Sequence, residues 1–148
     1  MYKKILVAID DSDTSRGALA EAVHIARCSG ARLTIAHVAD ETLMGMHSRT
    51  FSTTLNLDHA LQAIADAGRE LLAEAARTAD GVEVDTVLLE ARERRVSEVL
   101  IDQAASLGVD LIVLGRHGRR GLARLILGSV AEQVAKMADA SVLLVRKH

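Results

Sequence analysis

Five short aliphatic runs, separated by segments with helical periodicity, constrain the fold of this chain most. The runs are Ile5–Ile9, Leu33–Val38, Val84–Leu89, Leu111–Leu114 and Val142–Val145. They are mostly continuous rather than alternating, as in strands that helices cover on both faces. The helical segments between them are Ala18–Ala26, Asn56 to about Ala79, Val96–Leu107 and Val130–Ala138. The order βαβαβαβαβ predicts an α/β fold, a parallel sheet with helices on both faces.

Local signals mark where several of these elements begin and end. Ser12 or Asp13 is the expected N-cap of the first helix. A segment without clear periodicity, Asp40 to about Leu55, is longer than most connections, and such loops often form lids or interfaces. Glycines between a helix and the next strand predict left-handed stops at Gly30, Gly81 and Gly108.

The composition describes one ordinary globular domain spanning residues 1–148, with 49% apolar and 26% charged residues. Aromatic residues make up only 1% of the chain and the net charge is −2. The sequence therefore offers neither a series of aromatic side chains on which bases could stack nor a strongly basic surface. We do not expect nucleic acid as a partner. Cys28 is the single cysteine, and no apolar run approaches the length of a membrane span. We expect a cytoplasmic location and no membrane association.

A glycine-rich stretch follows the fourth aliphatic run. Gly115–Gly118 has the sequence Gly-Arg-His-Gly, and Gly128 and Ser129 follow after nine residues. Glycines let backbone N–H groups approach an anion, and a helix N-terminus favours negative charge. The alternative is a loop with an ordinary helix cap, because Ser129 and Glu132 have the spacing of a capping box. The residues alone leave both interpretations open.

Asp10 ends the first strand, and ligands of parallel α/β sheets bind beyond the carboxyl ends of the strands. Asp10 and Gly115 are expected to flank that crevice, where a carboxylate can accept a hydrogen bond from a ribose hydroxyl. The alternative for Asp10 is turn chemistry within Asp-Asp-Ser-Asp. Arginines of the glycine stretch could neutralise a polyphosphate or form a solvated basic face; they are Arg116, Arg119, Arg120 and Arg124.

Catalytic and metal-binding patterns are weak in this sequence. The six histidines do not cluster and none pairs at a spacing of four residues. The glycine stretch matches neither the P-loop nor the dinucleotide fingerprint, and no lysine follows Gly128. We therefore expect no catalytic residues and no protein metal site, and at most slow hydrolysis of a bound nucleotide.

The chain resembles the universal stress protein family over essentially its whole length. The resemblance rests on Ile5–Ser12, on Leu33–Val38 and above all on the pattern G-x2-G-x9-G-[S/T]. Gly115, Gly118, Gly128 and Ser129 satisfy that pattern in full. The family relationship implies an open five-stranded parallel sheet of order 3-2-1-4-5, Rossmann-like and similar to the adenine nucleotide alpha hydrolases.

The resemblance also implies ATP (or AMP), with Mg²⁺ on the phosphates, between the ends of strands one and four. Asp10 would meet the ribose, and Val38 would contact adenine with help from Ala8 and Ile9. The implied ribose and phosphate residues are Leu114, Gly115, Arg116, His117, Gly118, Gly128, Ser129 and Val130. A homodimer through the last strand, Ser141–Arg146, is implied as well.

Three departures from the family pattern bear on these expectations. Asp11 stands where many members have glycine, and it adds a negative charge near the ligand. Residues 90–95 replace a shorter Glu-Gly turn after the third strand, which alters the expected wall of the site. Ala140 and Ser141 stand where a Cys-Pro is common.

Three functional hypotheses follow. The first is an ATP- or AMP-binding regulatory or sensing protein of the stress response. The second is a weak ATPase or nucleotidyl-transfer enzyme. The third is a dimeric interaction protein that binds no nucleotide and uses the glycine stretch only to begin a helix.

Overall fold

The computed structural model of the protein describes residues 1–40, 54–117 and 127–146. Within these ranges five strands alternate with four helices. The strands are β1 (Lys4–Ala8), β2 (Arg32–Ala39), β3 (Val84–Glu90), β4 (Leu111–Gly115) and β5 (Ser141–Val145). The helices are α1 (Asp13–Ser29), α2 (Thr54–Thr78), α3 (Val96–Leu107) and α4 (Ser129–Met137). None of the described helices combines the length and apolarity needed to cross a membrane.

The five strands form one parallel sheet of order β3-β2-β1-β4-β5, as the family resemblance implied. β1 lies in the middle, where Ile5 pairs with Leu33 of β2 on one side and with Leu111 of β4 on the other. The chain first builds outward through β2 and β3, then returns to add β4 and β5. The sheet order therefore reverses between β1 and β4, the position where α/β folds form a ligand crevice.

Helices cover both faces of the sheet and create two apolar cores. α1 and α2 pack on one face, against inward side chains such as Val7, Ile35 and Val113. α3 and α4 pack on the other face, against Leu6, Ala36 and Ile112. Since each strand supplies side chains to both cores, its sequence is apolar at successive positions, which is why the five runs are continuous.

Most predicted helix boundaries lie within two residues of the observed ones, but α1 extends beyond the predicted Ala18–Ala26 at both ends. Ser12 is the N-cap of α1, and its side chain accepts a hydrogen bond from the Ser15 N–H at 3.2 Å. The stops at Gly30, Gly81 and Gly108 are confirmed, with φ values of 68°, 74° and 62°. α2 begins at Thr54, two residues before the predicted start. Residues 54 and 55 of the irregular segment are therefore helical, and its residues 41–53 lie outside the described part of the chain.

Candidate functional site

A cleft of about 1180 Å³ opens at the carboxyl ends of β1, β2 and β4. Eleven of the twelve residues predicted for the site line this cleft. They are Ala8, Ile9, Asp10, Val38, Leu114, Gly115, Arg116, His117, Gly128, Ser129 and Val130. The twelfth, Gly118, lies outside the described residues. The fold thus brings the end of β1 and the glycine stretch, more than a hundred positions apart in the sequence, to one surface.

Asp10 is held by the first turn of α1. Its Oδ1 atom accepts hydrogen bonds from the Ser12 N–H, at 2.8 Å, and from the Ser12 hydroxyl. Its own N–H donates to the Ser15 hydroxyl at 2.8 Å. Both side-chain bonds use Oδ1, and no described residue donates to Oδ2. The turn chemistry predicted for this segment is therefore present, and it leaves one carboxylate oxygen available at the cleft.

The start of α1 packs closely on the end of β4. A Cβ atom built on Gly115 would lie 2.9 Å from Thr14 Oγ1 and 3.0 Å from the Thr14 carbonyl carbon. The buried Thr14 hydroxyl donates a hydrogen bond to the carbonyl oxygen of His117. Glycine is favoured at position 115 because a side chain there would push the start of α1 away from β4.

The two ends of the glycine stretch are tied to each other. The Arg116 N–H donates to the Val145 carbonyl of β5 at 2.8 Å. The Gly128 N–H donates to the Arg116 carbonyl at 3.0 Å. The Gly128 N–H, expected to serve a phosphate, is thus used within the fold, and the backbone donors nearest to it begin at Ser129.

The capping box that was the alternative interpretation of Ser129 and Glu132 is not formed. Gly128 is the N-cap of α4, and Ser129 is the first helical residue. The Glu132 N–H donates to the Gly128 carbonyl at 2.9 Å, and the Glu132 carboxylate bonds Lys136 at 2.6 Å. The N–H groups of residues 129–131 precede the first bond of the helix and meet no acceptor among the described residues. The Ser129 hydroxyl, which does not cap the helix, lies exposed at the cleft.

The wall on the α3 side is formed by helix residues rather than by the turn after β3. Val38 is only 8% exposed, and it packs in the same core as Leu100 of α3. Val96 and Leu100 line the cleft, whereas the described turn residues 91–95 do not. In that turn Arg92 and Glu93 have φ values of 45° and 67°, which glycine adopts more easily. The longer turn therefore reaches α3 through left-handed backbone and leaves an apolar wall beside Val38.

Charge is distributed unevenly around the cleft. Carboxylates outnumber guanidinium groups in the described lining: Asp10, Asp11, Asp40, Glu70, Glu74 and Glu132 against Arg77 and Arg116. Arg116 lies beside the start of α4, at the end where backbone donors are unpaired. The remaining arginines of the predicted basic cluster, Arg119, Arg120 and Arg124, lie outside the described residues.

Sequence reasoning missed several residues of the cleft, among them Ser15, His37 and Gly68. His37 lies within the strand used for the family resemblance, but it received no role. Gly68 interrupts the pattern of α2, and a glycine inside a helix costs about 1 kcal/mol relative to alanine. That cost is a signal for close packing, and it could have drawn attention to position 68.

Comparison with known proteins places this geometry in a family. The family model described as the universal stress protein family matches residues 1–146. The chain belongs to this family. The universal stress protein YxiE of Bacillus subtilis is 36% identical over 151 residues, covering 99% of this chain and 100% of the relative.

Solved universal stress proteins share the fold described above. MJ0577 of Methanocaldococcus jannaschii superimposes with a TM-score of 0.83 at 25% identity, covering 100% of this chain and 98% of that one. A universal stress protein solved in complex with cAMP has a TM-score of 0.65 at 25% identity, with 98% and 97% coverage. This chain therefore shares its fold, over its whole length, with solved universal stress proteins.

Proposed function

We propose that this universal stress protein binds ATP or AMP in the cleft and acts as a nucleotide-dependent regulatory module of the stress response. One observation carries the proposal: the unpaired N–H groups at the start of α4 line the same cleft as the available Oδ2 atom of Asp10. The first suits a phosphate and the second a ribose hydroxyl. The whole chain, residues 1–148, would act as a single domain.

The two ends of the cleft fit the two ends of a nucleotide. At the phosphate end, backbone donors of Ser129 and Val130, the Ser129 hydroxyl and the Arg116 guanidinium would meet negative charge. At the base end, Val38 and Leu100 would contact the adenine ring. The relative solved with cAMP supports an adenine nucleotide as the ligand class.

The excess of carboxylates favours a bound cation with the nucleotide. Asp10 and Asp11 lie at the cleft, and a triphosphate brings further negative charge. Mg²⁺ commonly binds proteins through one or two carboxylates together with substrate phosphates. We propose that ATP enters as its Mg²⁺ complex, whereas AMP needs the metal less.

Calorimetric titration of the purified protein with MgATP and with AMP tests the proposal. We expect saturable binding of MgATP that Asp10→Asn weakens by about tenfold, because the substitution replaces the charged acceptor of a ribose hydrogen bond. Asp11→Asn is the matched control, since it removes a neighbouring charge without removing the Oδ2 acceptor. We expect its affinity for AMP, which needs the metal less, to be unchanged or higher.

Two results would contradict the proposal. Absence of heat with both nucleotides, together with no ligand detected by mass spectrometry of the purified protein, would favour the interaction protein that binds no nucleotide. Equal loss of affinity in Asp10→Asn and Asp11→Asn would indicate that only the overall charge of the cleft matters.

We also propose a homodimer through the outer edge of β5, within Ser141–Arg146. β5 pairs with β4 on one side, and no described strand covers its other edge. Its sequence, Ser-Val-Leu-Leu-Val, has no charged residue, whereas β3 at the opposite edge carries Asp85 and Glu90. Charged side chains discourage pairing of exposed edges, so β5 is the edge suited to a second copy.

Light scattering after size-exclusion chromatography measures the assembly. With a chain mass of 15.8 kDa, we expect twice that mass at micromolar concentration. Leu144→Lys places a charge on β5 and should shift the protein toward monomer. A monomeric wild type over the whole accessible concentration range would refute the dimer.

A further inference from the structure

The peptide group that joins Ile9 to Asp10 is held at both of its polar atoms by side chains. The Ile9 carbonyl accepts a hydrogen bond from His37 Nδ1 at 2.8 Å, and the Asp10 N–H donates to Ser15 Oγ at 2.8 Å. The Ile9 N–H is also bonded, to the Ala36 carbonyl at 2.9 Å. Because this peptide precedes the Asp10 side chain directly, its orientation sets, together with the Ser12 bonds to Oδ1, where the Asp10 carboxylate points.

The His37 ring has a defined protonation pattern in this arrangement. A carbonyl oxygen can only accept, so Nδ1 must carry the proton in the bond to Ile9. The side chain is only 7% exposed, on the face of β2 that α1 and α2 cover. Breaking this buried hydrogen bond would leave both groups without a partner, which is costly in free energy. His37 therefore supports the Ile9 carbonyl rigidly.

Gly68 of α2 makes room for the ring. A Cβ atom at position 68 would lie 3.0 Å from His37 Cδ2 and 2.7 Å from Leu88 Cδ1. The backbone of α2 therefore passes directly over the imidazole, which is packed between α2 and the sheet. The glycine that weakens α2 as a helix allows this close contact, which restricts rotation of the His37 side chain.

We propose that His37 is the positioning residue of the site: through the Ile9 carbonyl it fixes the Asp10 carboxylate and so sets the discrimination between ribose and deoxyribose ligands. The inference rests on the proposed nucleotide function, in which Asp10 accepts from the ribose. His37 itself does not need to touch the ligand. Ser15 supports the other side of the same peptide.

A matched pair of substitutions isolates the hydrogen bond. His37→Leu and His37→Asn are nearly equal in shape, but only asparagine keeps a donor close to the position of Nδ1. The readout is the affinity for ATP relative to 2′,3′-dideoxy-ATP, which lacks the hydroxyls that Asp10 would bind. We expect His37→Leu to lower ATP affinity about tenfold while the dideoxy affinity stays within about twofold. We expect His37→Asn to retain most of the discrimination.

A second readout does not depend on any ligand. The amide hydrogen exchange of Asp10 reports how firmly the peptide is held. We expect exchange at least about tenfold faster in His37→Leu than in His37→Asn. The same pair of substitutions at His59, an exposed position of α2 outside the cleft, should leave both readouts unchanged.

The outcomes separate this inference from the proposed function. Equal ATP and dideoxy-ATP affinities in the wild type would contradict the role of Asp10, and amide exchange would still decide whether His37 holds the peptide. Unchanged exchange and unchanged discrimination in His37→Leu would overturn the inference. If His37→Leu does not fold, Ser15→Ala removes the partner at the other end of the peptide, and it should reduce the discrimination in the same direction.

Discussion

Replacing Gly128 with valine should lower the affinity for ATP by at least about a hundredfold. Gly128 lines the cleft and directly precedes the unpaired N–H groups of α4, so we expect a branched side chain there to hinder a phosphate from approaching them. Losing two hydrogen bonds to a charged group costs about 3 kcal/mol or more, which corresponds to that factor. The backbone tolerates the change, because φ and ψ of −59° and 146° are open to any residue.

The accompanying loss of stability should be small. Valine is a poorer N-cap than glycine, and we expect the free energy of unfolding to fall by about 1 kcal/mol. Calorimetry with MgATP and urea unfolding measure the two effects separately. Gly128→Ser is the control, because serine is a good N-cap with a smaller side chain, and it should preserve stability while weakening ATP binding less. Retention of wild-type affinity in Gly128→Val would refute the phosphate assignment.

Replacing Gly115 with alanine should lower the free energy of unfolding by about 2 kcal/mol. The new methyl group would lie 3.0 Å from the Thr14 carbonyl carbon, and a backbone atom cannot move aside as a flexible side chain can. α1 must then shift away from β4, which also strains the hydrogen bond from Thr14 to the His117 carbonyl. We therefore expect weaker ATP binding together with the lower stability.

Gly17→Ala provides a matched comparison for this change. A Cβ atom at Gly17, in the second turn of α1, would meet its nearest neighbour at 3.7 Å, an ordinary contact. Alanine there should raise the free energy of unfolding by about 0.5–1 kcal/mol through its better helix propensity. Urea unfolding of both variants checks the pair. A loss of stability in Gly17→Ala as large as in Gly115→Ala would show that the contact with Thr14 is not the cause.

Much of the candidate site was predictable because its parts are local. Asp10 follows an apolar run, and the glycine stretch follows another, so each was recognisable from its immediate neighbours. Parallel strands then place both at one edge of the sheet. The relative position of β1 and β4 came from the family resemblance, since hydrophobic periodicity alone does not specify strand order.

The role of Ser129 could not be predicted in this way. Its spacing to Glu132 fits a capping box, and that preference amounts to about 1 kcal/mol. In the fold, the Gly128 N–H is bonded to the Arg116 carbonyl, and the helix begins one residue earlier than the box requires. The Glu132 N–H, which the capping box would use, donates instead to the Gly128 carbonyl, and the Ser129 hydroxyl is left at the cleft.

By itself, the sequence determined the element types, the α/β class, the glycine stops at residues 30, 81 and 108, and the two segments that line the cleft. These depend on side-chain periodicity and on backbone sterics within a few residues. Only the tertiary structure decided how the Ile9 carbonyl is held, because Ile9 and His37 are 28 positions apart and meet through strand register. The close passage of α2 over the sheet at Gly68 was likewise decided only by the tertiary structure, since it depends on how a helix packs on the sheet.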